Sequence, residues 1–467
     1  MKIINKDILK LAVPSILANI TVPIVGMVDI AVAGHLDVNS ATMIGGIAIG
    51  TMLFDLLYWN FSFLRVGTGG LAAQAYGRGD RKECARIFVR AAGIALACAL
   101  VLIAVQWVFV NAAFLVVDCT PEVRELASKY FFVRIWAAPA TLSLMAFKGW
   151  FIGMQDSVSP MVTDLVVNGM NVLMSIVLAM GLTIGEWQFD GMGFSGIAAG
   201  TVAAQYTGLL TAVILMMFRY RKDTMSSLGV SDLKDIFKGG ETRRFFVMNA
   251  DLFVRSLCFI AIYIGFTVIS ACYGDVLLAV SSIMMKILMI FSYFTDGFAY
   301  AGEALTGRYI GAQDKQQVRQ TVKWTFIWSM SIAGVFMIVY HFGGVPLVKL
   351  MTSDTAVVEQ SKEFLPWLLL MPVVGCAAFT WDGIYIGATA SMAIRNAMLW
   401  AVAGFAVVWL AGQALLRLTD GSDVMAMHVL MAAYFAHLLA RTVHLSVRYR
   451  NVVLFRPFVQ KDKELHP

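Results

Sequence analysis

PSILANITVPIVGMVDIAVAGH, residues 14–35, decides the fold. At about 1.5 Å of rise per residue a helix of this length crosses a bilayer core about 30 Å thick. It carries a single acid, Asp29, and two prolines, Pro14 and Pro23. Each proline removes a backbone donor and gives the helix a point where it can bend. A carboxylate at mid-membrane costs about 3 kcal/mol on insertion scales, so a chain that keeps one there is expected to use it. The plainer reading of Asp29 is a hydrogen bond to a neighbouring helix.

The same pattern fills the chain. Of 467 residues 59% are hydrophobic and 14% charged, against about 25% charged in soluble domains. Apolar stretches of about 20 residues recur twelve times, from 11–34 to 424–446. In lipid these must be helices, because only a helix satisfies its backbone internally. The expected fold is an all-α polytopic membrane protein of twelve transmembrane helices. Lys2, Lys6 and Lys10 precede the first apolar run as in a signal peptide, but the run reaches spanning length and reads as a retained span. The six cysteines, at 84, 98, 119, 258, 272 and 376, are scattered and read as packing residues. His437 and His444 lie seven apart without spaced acidic or cysteine partners and read as helix-end residues, not a metal site. No GxSxG, HExxH or compact carboxylate pair is present, so the expectation is that the chain is not an enzyme and holds no cofactor.

If the N-terminus is cytoplasmic, 27 of the 36 basic residues fall on that side. Both termini are therefore expected inside, and the charge of +6 needs no nucleic-acid partner. The tally includes Lys234, Lys238, Arg456, Lys461 and Lys463.

The chain also repeats. Gly77-Arg-Gly-Asp80 returns as Gly311-Ala-Gln-Asp314, and Phe151-Ile-Gly153 as Tyr385-Ile-Gly387, both shifted by 234 residues. Six spans separate the copies, an even number, so the repeats are parallel. The expected organisation is a six-helix lobe over 1–218, a cytoplasmic linker over 219–245, a second six-helix lobe over 246–450 and a cytoplasmic tail over 451–467. Two such lobes suggest alternating access around a cavity.

The repeat, the span count and the stretches MVDIAVAGHL (27–36), FLRVGTGGLAAQAYGRGD (63–80), DLFVRSLC (251–258), DGFAYAGEALTGRYIGA (296–312) and WDGIYIGATASMAIRNAM (381–398) resemble the multidrug and toxic compound extrusion family, most closely its DinF-type branch. The resemblance implies a V-shaped pair of bundles in a bacterial-type inner membrane. It implies a monomer that exports cationic or amphipathic organic molecules in exchange for H+ or Na+. Pro14 and Asp29 match the first-helix proline and acid of that branch, Asn168 and Asn171 a fifth-helix polar pair, and Thr201 a sixth-helix hydroxyl. The family often carries a second acid where this chain has Ser175. Its absence argues against Na+, a hard cation that favours several charged oxygens, and for H+.

The second lobe has its own candidates: Asp251, Arg255, Lys286, Asp296, Glu303 and Asp382. Asp251 and Asp382 fall near acids that other branches of the family use for Na+. Here Asp251 and Arg255, four apart on a helix, are expected to pair, and Lys286 is expected to reach Asp382. The alternatives to proton-coupled export are Na+ coupling through this lobe, or flipping of a lipid or lipid-linked precursor. Arg65, Arg255 and Lys286 would suit the phosphate of such a precursor. Tyr58, Trp59, Phe61, Trp150 and Phe151 are candidates to line an apolar cavity or to pack.

Overall fold

The computed structural model describes residues 2–34, 36, 40–115, 117, 119–184, 187–229, 236–237, 240–352, 354–419, 421–455 and 457–458. Twelve helical stretches within them are long and apolar enough to span a membrane. The chain is a multi-pass membrane protein.

The helices are α1 (Lys2–Gly34), α2 (Ser40–Trp59), α3 (Phe63–Gly77), α4 (Arg81–Ala113), α5 (Pro121–Arg134), α6 (Ala138–Gly153), α7 (Val158–Met180), α8 (Phe194–Tyr220), α9 (Gly240–Ala271), α10 (Asp275–Gly311), α11 (Lys315–Met351), α12 (Thr355–Gly387), α13 (Ser391–Thr419) and α14 (Asp423–Tyr449). A short antiparallel hairpin of β1 (Leu182–Ile184) and β2 (Trp187–Phe189) joins α7 to α8. Lys2, Lys6 and Lys10 lie on α1 itself, not ahead of it.

Two spans are broken. A 3-10 turn at Asn60–Ser62 separates α2 from α3, and another at Ile135–Ala137 separates α5 from α6. The second has a sequence cause: Pro139 lacks an amide hydrogen, and its ring crowds the carbonyl four residues back, at Ile135. At the first, the Asn60 side-chain amide donates to the Leu56 carbonyl at 2.7 Å, a local bond that competes with the regular ladder.

The 234-residue repeat extends to the backbone. Left-handed residues occur at Gly79 and Gln313, and again at Gln155 and Thr389, both pairs at that shift. Asp80 caps its helix through the Glu83 amide at 2.9 Å, and Asp314 does the same through the Gln317 amide at 3.0 Å. The glycines repeat in function as well. A Cβ on Gly149 would strike the Arg65 carbonyl and one on Gly153 the Gly69 carbonyl; on Gly383 and Gly387 it would strike the carbonyls of Ala299 and Glu303. These four positions let α6 close on α3 and α12 close on α10.

The chain divides into two compact units, residues 17–75 with 80–243, and residues 1–16 with 76–79 and 244–467. This departs from the lobe expected over 1–218. The first half of α1 packs with the C-terminal helices: Ile4, Ile8, Leu11 and Ala12 are buried, Trp328 donates to Asn5 at 3.2 Å, and Gly297 lies against Ala12 and Ile16. The second half, with Asp29 and Pro23, packs with the N-terminal helices. The division falls two residues after Pro14. Within 219–245, Ile236 is buried in the N-terminal unit and its carbonyl accepts from Arg90 at 2.7 Å. Lys234, Lys238, Arg456, Lys461 and Lys463 lie outside the described residues.

Candidate functional site

In the N-terminal unit α7 and α8 lie unusually close. A Cβ on Gly196 or Gly200 would overlap the α7 backbone at Leu178 or Ser175. That approach brings polar side chains of the two helices together. Asn171 donates to the Thr201 hydroxyl at 3.0 Å, and Ser175 donates to the Asn171 side-chain oxygen at 3.3 Å. All three are buried. Asn168, one turn back, donates to Thr21 of α1 at 2.5 Å.

Asp29 faces this group. It is 7% exposed, the Ser175 hydroxyl lies beside it, and its Oδ1 is buried with no hydrogen-bond partner. Ser175, at the position where the resemblance expects a second acid, is thus a neutral neighbour of the first. The structure brings Asp29 to Asn171 and Thr201 through Ser175, and ties Asn168 to the neighbouring turn of α1.

Two charged neighbours were missed. Arg134, the last residue of α5, acts electrostatically on Asp29 and on Asp55 of α2. It donates to the Tyr130 hydroxyl at 3.0 Å and lies over the Phe54 ring at 4.7 Å. Counted in sequence as one basic residue of the outer face, Arg134 belongs to the site. The break at Pro139 was the available signal, since it ends α5 beside that residue. Asp55, exposed near the end of α2, gave none beyond being an acid inside an apolar run.

The C-terminal unit is arranged differently, and two expected pairings are corrected. Asp251 does not pair with Arg255. Its carboxylate accepts from Arg395 at 2.6 Å and from the Ser391 hydroxyl at 2.8 Å. Both donors lie in the first turns of α13, where the helix dipole adds to the attraction. Arg255 instead donates to Asp382 at 2.8 Å. Nor does Lys286 reach Asp382: it is exposed, and the second cation on Asp382 is Arg441 of α14, at 2.7 Å. Arg441 is buried, donates to the Ala378 carbonyl at 3.1 Å and is also within electrostatic reach of Asp296. Glu303 is completely buried on α10. A helix pair four apart is geometrically allowed, but here each acid takes its cations from a neighbouring helix.

Other residues settle into packing. Trp150 and Phe151 are buried, and the Trp150 indole donates to the Cys84 carbonyl at 2.8 Å. His437 is not a helix-end residue: it is buried in the middle of α14. Outside the spans, Asp156 ties the α6–α7 turn to the end of α8. It accepts from Ser159, from Arg219 at 2.8 Å and from Tyr220 at 3.0 Å. Burial alone would raise its carboxyl; the Ser159 and Arg219 bonds outweigh that and hold it below the ordinary carboxylate range.

The MatE family model matches residues 14–177 and 252–411, one match in each half. The DNA damage-inducible protein F of Escherichia coli is 34% identical over 418 residues, covering 88% of each protein. The probable multidrug resistance protein NorM of Thermotoga maritima is 24% identical over 369 residues, 77% of this chain and 75% of that protein. Among solved structures, the eukaryotic MATE transporter AtDTX14 superposes with a TM-score of 0.80 at 14% identity over 99% of both chains. With the repeat matched twice, twelve spans and a DinF relative aligned over most of its length, the chain belongs to the MATE family of membrane transporters, in its DinF-type branch.

Proposed function

We propose that this protein is a secondary active exporter that exchanges an organic cation or amphipathic molecule for a proton by alternating access, and that Asp29 is the coupling group. The multidrug resistance name of the NorM relative supports that substrate class. One observation carries the reading. Asp29 is a buried acid with an unbonded oxygen and neutral hydrogen-bonding neighbours, whereas Asp251 and Asp382 already hold arginines. A carboxylate engaged by guanidinium has a partner for its negative charge; a carboxylate among Ser175, Asn171 and Thr201 has neutral partners that can bond either form. Protonation removes the charge that holds a cationic substrate and lets the acid donate a hydrogen bond, which alters the bend at Pro23 and Pro14. Substrate release and proton uptake then become one event. The arginines on the C-terminal acids weigh against Na+ coupling there. In this reading the protein is a monomer in an inner membrane with both termini cytoplasmic, and H+ is its only co-substrate.

The test is transport of ethidium into proteoliposomes under an imposed pH gradient and then an imposed Na+ gradient. Asp29→Asn mimics the neutral acid and is expected to fold normally yet abolish the pH-driven flux. Uptake driven by the Asn variant, or by Na+ alone, would exclude Asp29 as the proton-coupling site.

A further inference from the structure

On α7 the residues Asp164, Asn168, Asn171 and Ser175 are spaced by four, three and four. At 100° per residue they fall within a sector of about 60°, and they span about 16 Å of helix. Leu165, Leu173, Ile176 and Met180, on other faces of the same helix, are exposed. Over residues 164–175 the helix thus carries one continuous polar stripe, the positions between being apolar or glycine. Its upper end is Ser175 beside Asp29. Its lower end is Asp164, which pairs with Lys148 of α6 at 2.7 Å, the two side chains 27% and 25% exposed. Between them Asn168 meets Thr21 and Asn171 meets Thr201. An ion pair in this setting gives little net stability, since apolar residues of similar size often do as well. A purely structural account therefore leaves Lys148 and Asp164 unexplained.

We propose that this face of α7 is the route by which the proton leaves Asp29 for the cytoplasm, with the Lys148–Asp164 pair as its inner terminus. The inference rests on the proton-coupled reading of Asp29. Protonated Asp29 gives its proton to water held by Asn168 and Thr21, and becomes a carboxylate. The hydrated proton passes to the Asp164 carboxylate, which becomes neutral and loosens from Lys148. Asp164 then releases the proton to cytoplasmic water and recovers its pair. The amides and the Thr21 hydroxyl hold water; they do not change protonation state. While paired, the Lys148 ammonium repels protons and closes the route against leak. The charged groups facing the two ends are Arg134 and Asp55 at Asp29, and Lys148 at Asp164. On α8, packed along α7, Arg219 is engaged by Asp156, the next acid toward the helix end, and so stands apart from the route.

The experiment compares two fluxes of ethidium in proteoliposomes: uptake driven by a pH gradient, and ethidium–ethidium exchange at equal pH, which moves no net proton. The variants are Asp164→Asn and the double change Lys148→Leu with Asp164→Leu, which removes both charges of the pair together. Both are expected to lose at least tenfold in pH-driven uptake while exchange stays within twofold of wild type. Lys148→Met is expected to raise passive proton leak, read with an entrapped pH dye. Coupled uptake within twofold of wild type in the folded double variant overturns the route. So does parallel loss of both fluxes, the signature of a structural pair. No pH-driven uptake by the wild-type protein, or unchanged uptake by Asp29→Asn, overturns instead the coupling reading on which the route stands.

Discussion

The two halves repeat the same backbone and surround Asp29 and Asp382 in opposite ways. Around Asp29 the close partners are neutral: Ser175, with Asn171 and Thr201 behind it, and one guanidinium at electrostatic range. Around Asp382 two guanidiniums converge on a single carboxylate oxygen, and Asp251 is closed by Arg395 and Ser391. Position 148 is lysine in the first half, and its counterpart 234 residues on is Asp382. The helices differ too. The spans that carry Asp55 and Arg134 are interrupted by 3-10 turns, while their counterparts α10 and α12 run unbroken. In one half Asp29 has neutral bonding partners beside broken helices; in the other Asp251 and Asp382 are paired with arginines beside continuous ones.

The largest expected effect is on stability in the C-terminal half. Asp382→Asn leaves Arg255 and Arg441 facing each other without their shared anion, and Arg441 is 3% exposed. Removing one partner of a buried pair costs about 3–5 kcal/mol. The variant is expected to unfold at a clearly lower temperature in detergent and to accumulate poorly, whereas Asp29→Asn is expected to shift stability by less than about 1 kcal/mol. Equal losses in the two variants would erase the contrast between the halves.

A second effect sharpens what holds the Asp29 site together. Gly200→Ala places a methyl against the Ser175 backbone, and overpacking of this kind costs about 1–3 kcal/mol. It also spreads α7 from α8, so transport is expected to fall with stability. Gly26→Ala, on α1 near Asp29, has nothing within 4 Å of the added carbon and is expected to be neutral or slightly stabilising by helix propensity. Thermal unfolding with ethidium uptake on both variants checks the pair.

Much of this was legible. Span length and hydropathy alone require helices, because lipid offers the backbone no partners, and the repeated Gly-x-Gly/Gln-Asp loops are the left-handed turns and caps that start α4 and α11. The resemblance to the family pointed to Asn168 and Asn171. What was hidden is what crosses between helices. Arg395 and Arg441 lie 144 and 59 residues from the acids they hold, and a single chain carries no sign of such a pairing. The nearer spacing of Asp251 and Arg255 pointed to the wrong partner. Nor did hydropathy indicate that residues 1–16 pack with the second half, since the apolar run of α1 continues without a break across residues 16 and 17.

The smallest effect tests a site where the first half does fix a charge, at its membrane edge. Asp156 is held below the ordinary carboxylate range by Ser159 and Arg219 against the opposing effect of burial. A carboxyl whose folded value is depressed stabilises the fold fully above its unfolded value, about 3.9, and loses that contribution as pH falls through the folded value. Arg219 is 44% exposed in this pair, so solvent screening limits its share. Asp156→Asn is therefore expected to cost about 1 kcal/mol at pH 7. The cost should begin to shrink as pH is lowered below about 4, because the unfolded wild-type carboxyl then takes up a proton that the folded one resists. Unfolding midpoints of both proteins at pH 7 and near pH 3.5 measure this directly. A difference that stays constant across that range would mean that Asp156 acts through its hydrogen-bond geometry, which asparagine disrupts, and not through its charge.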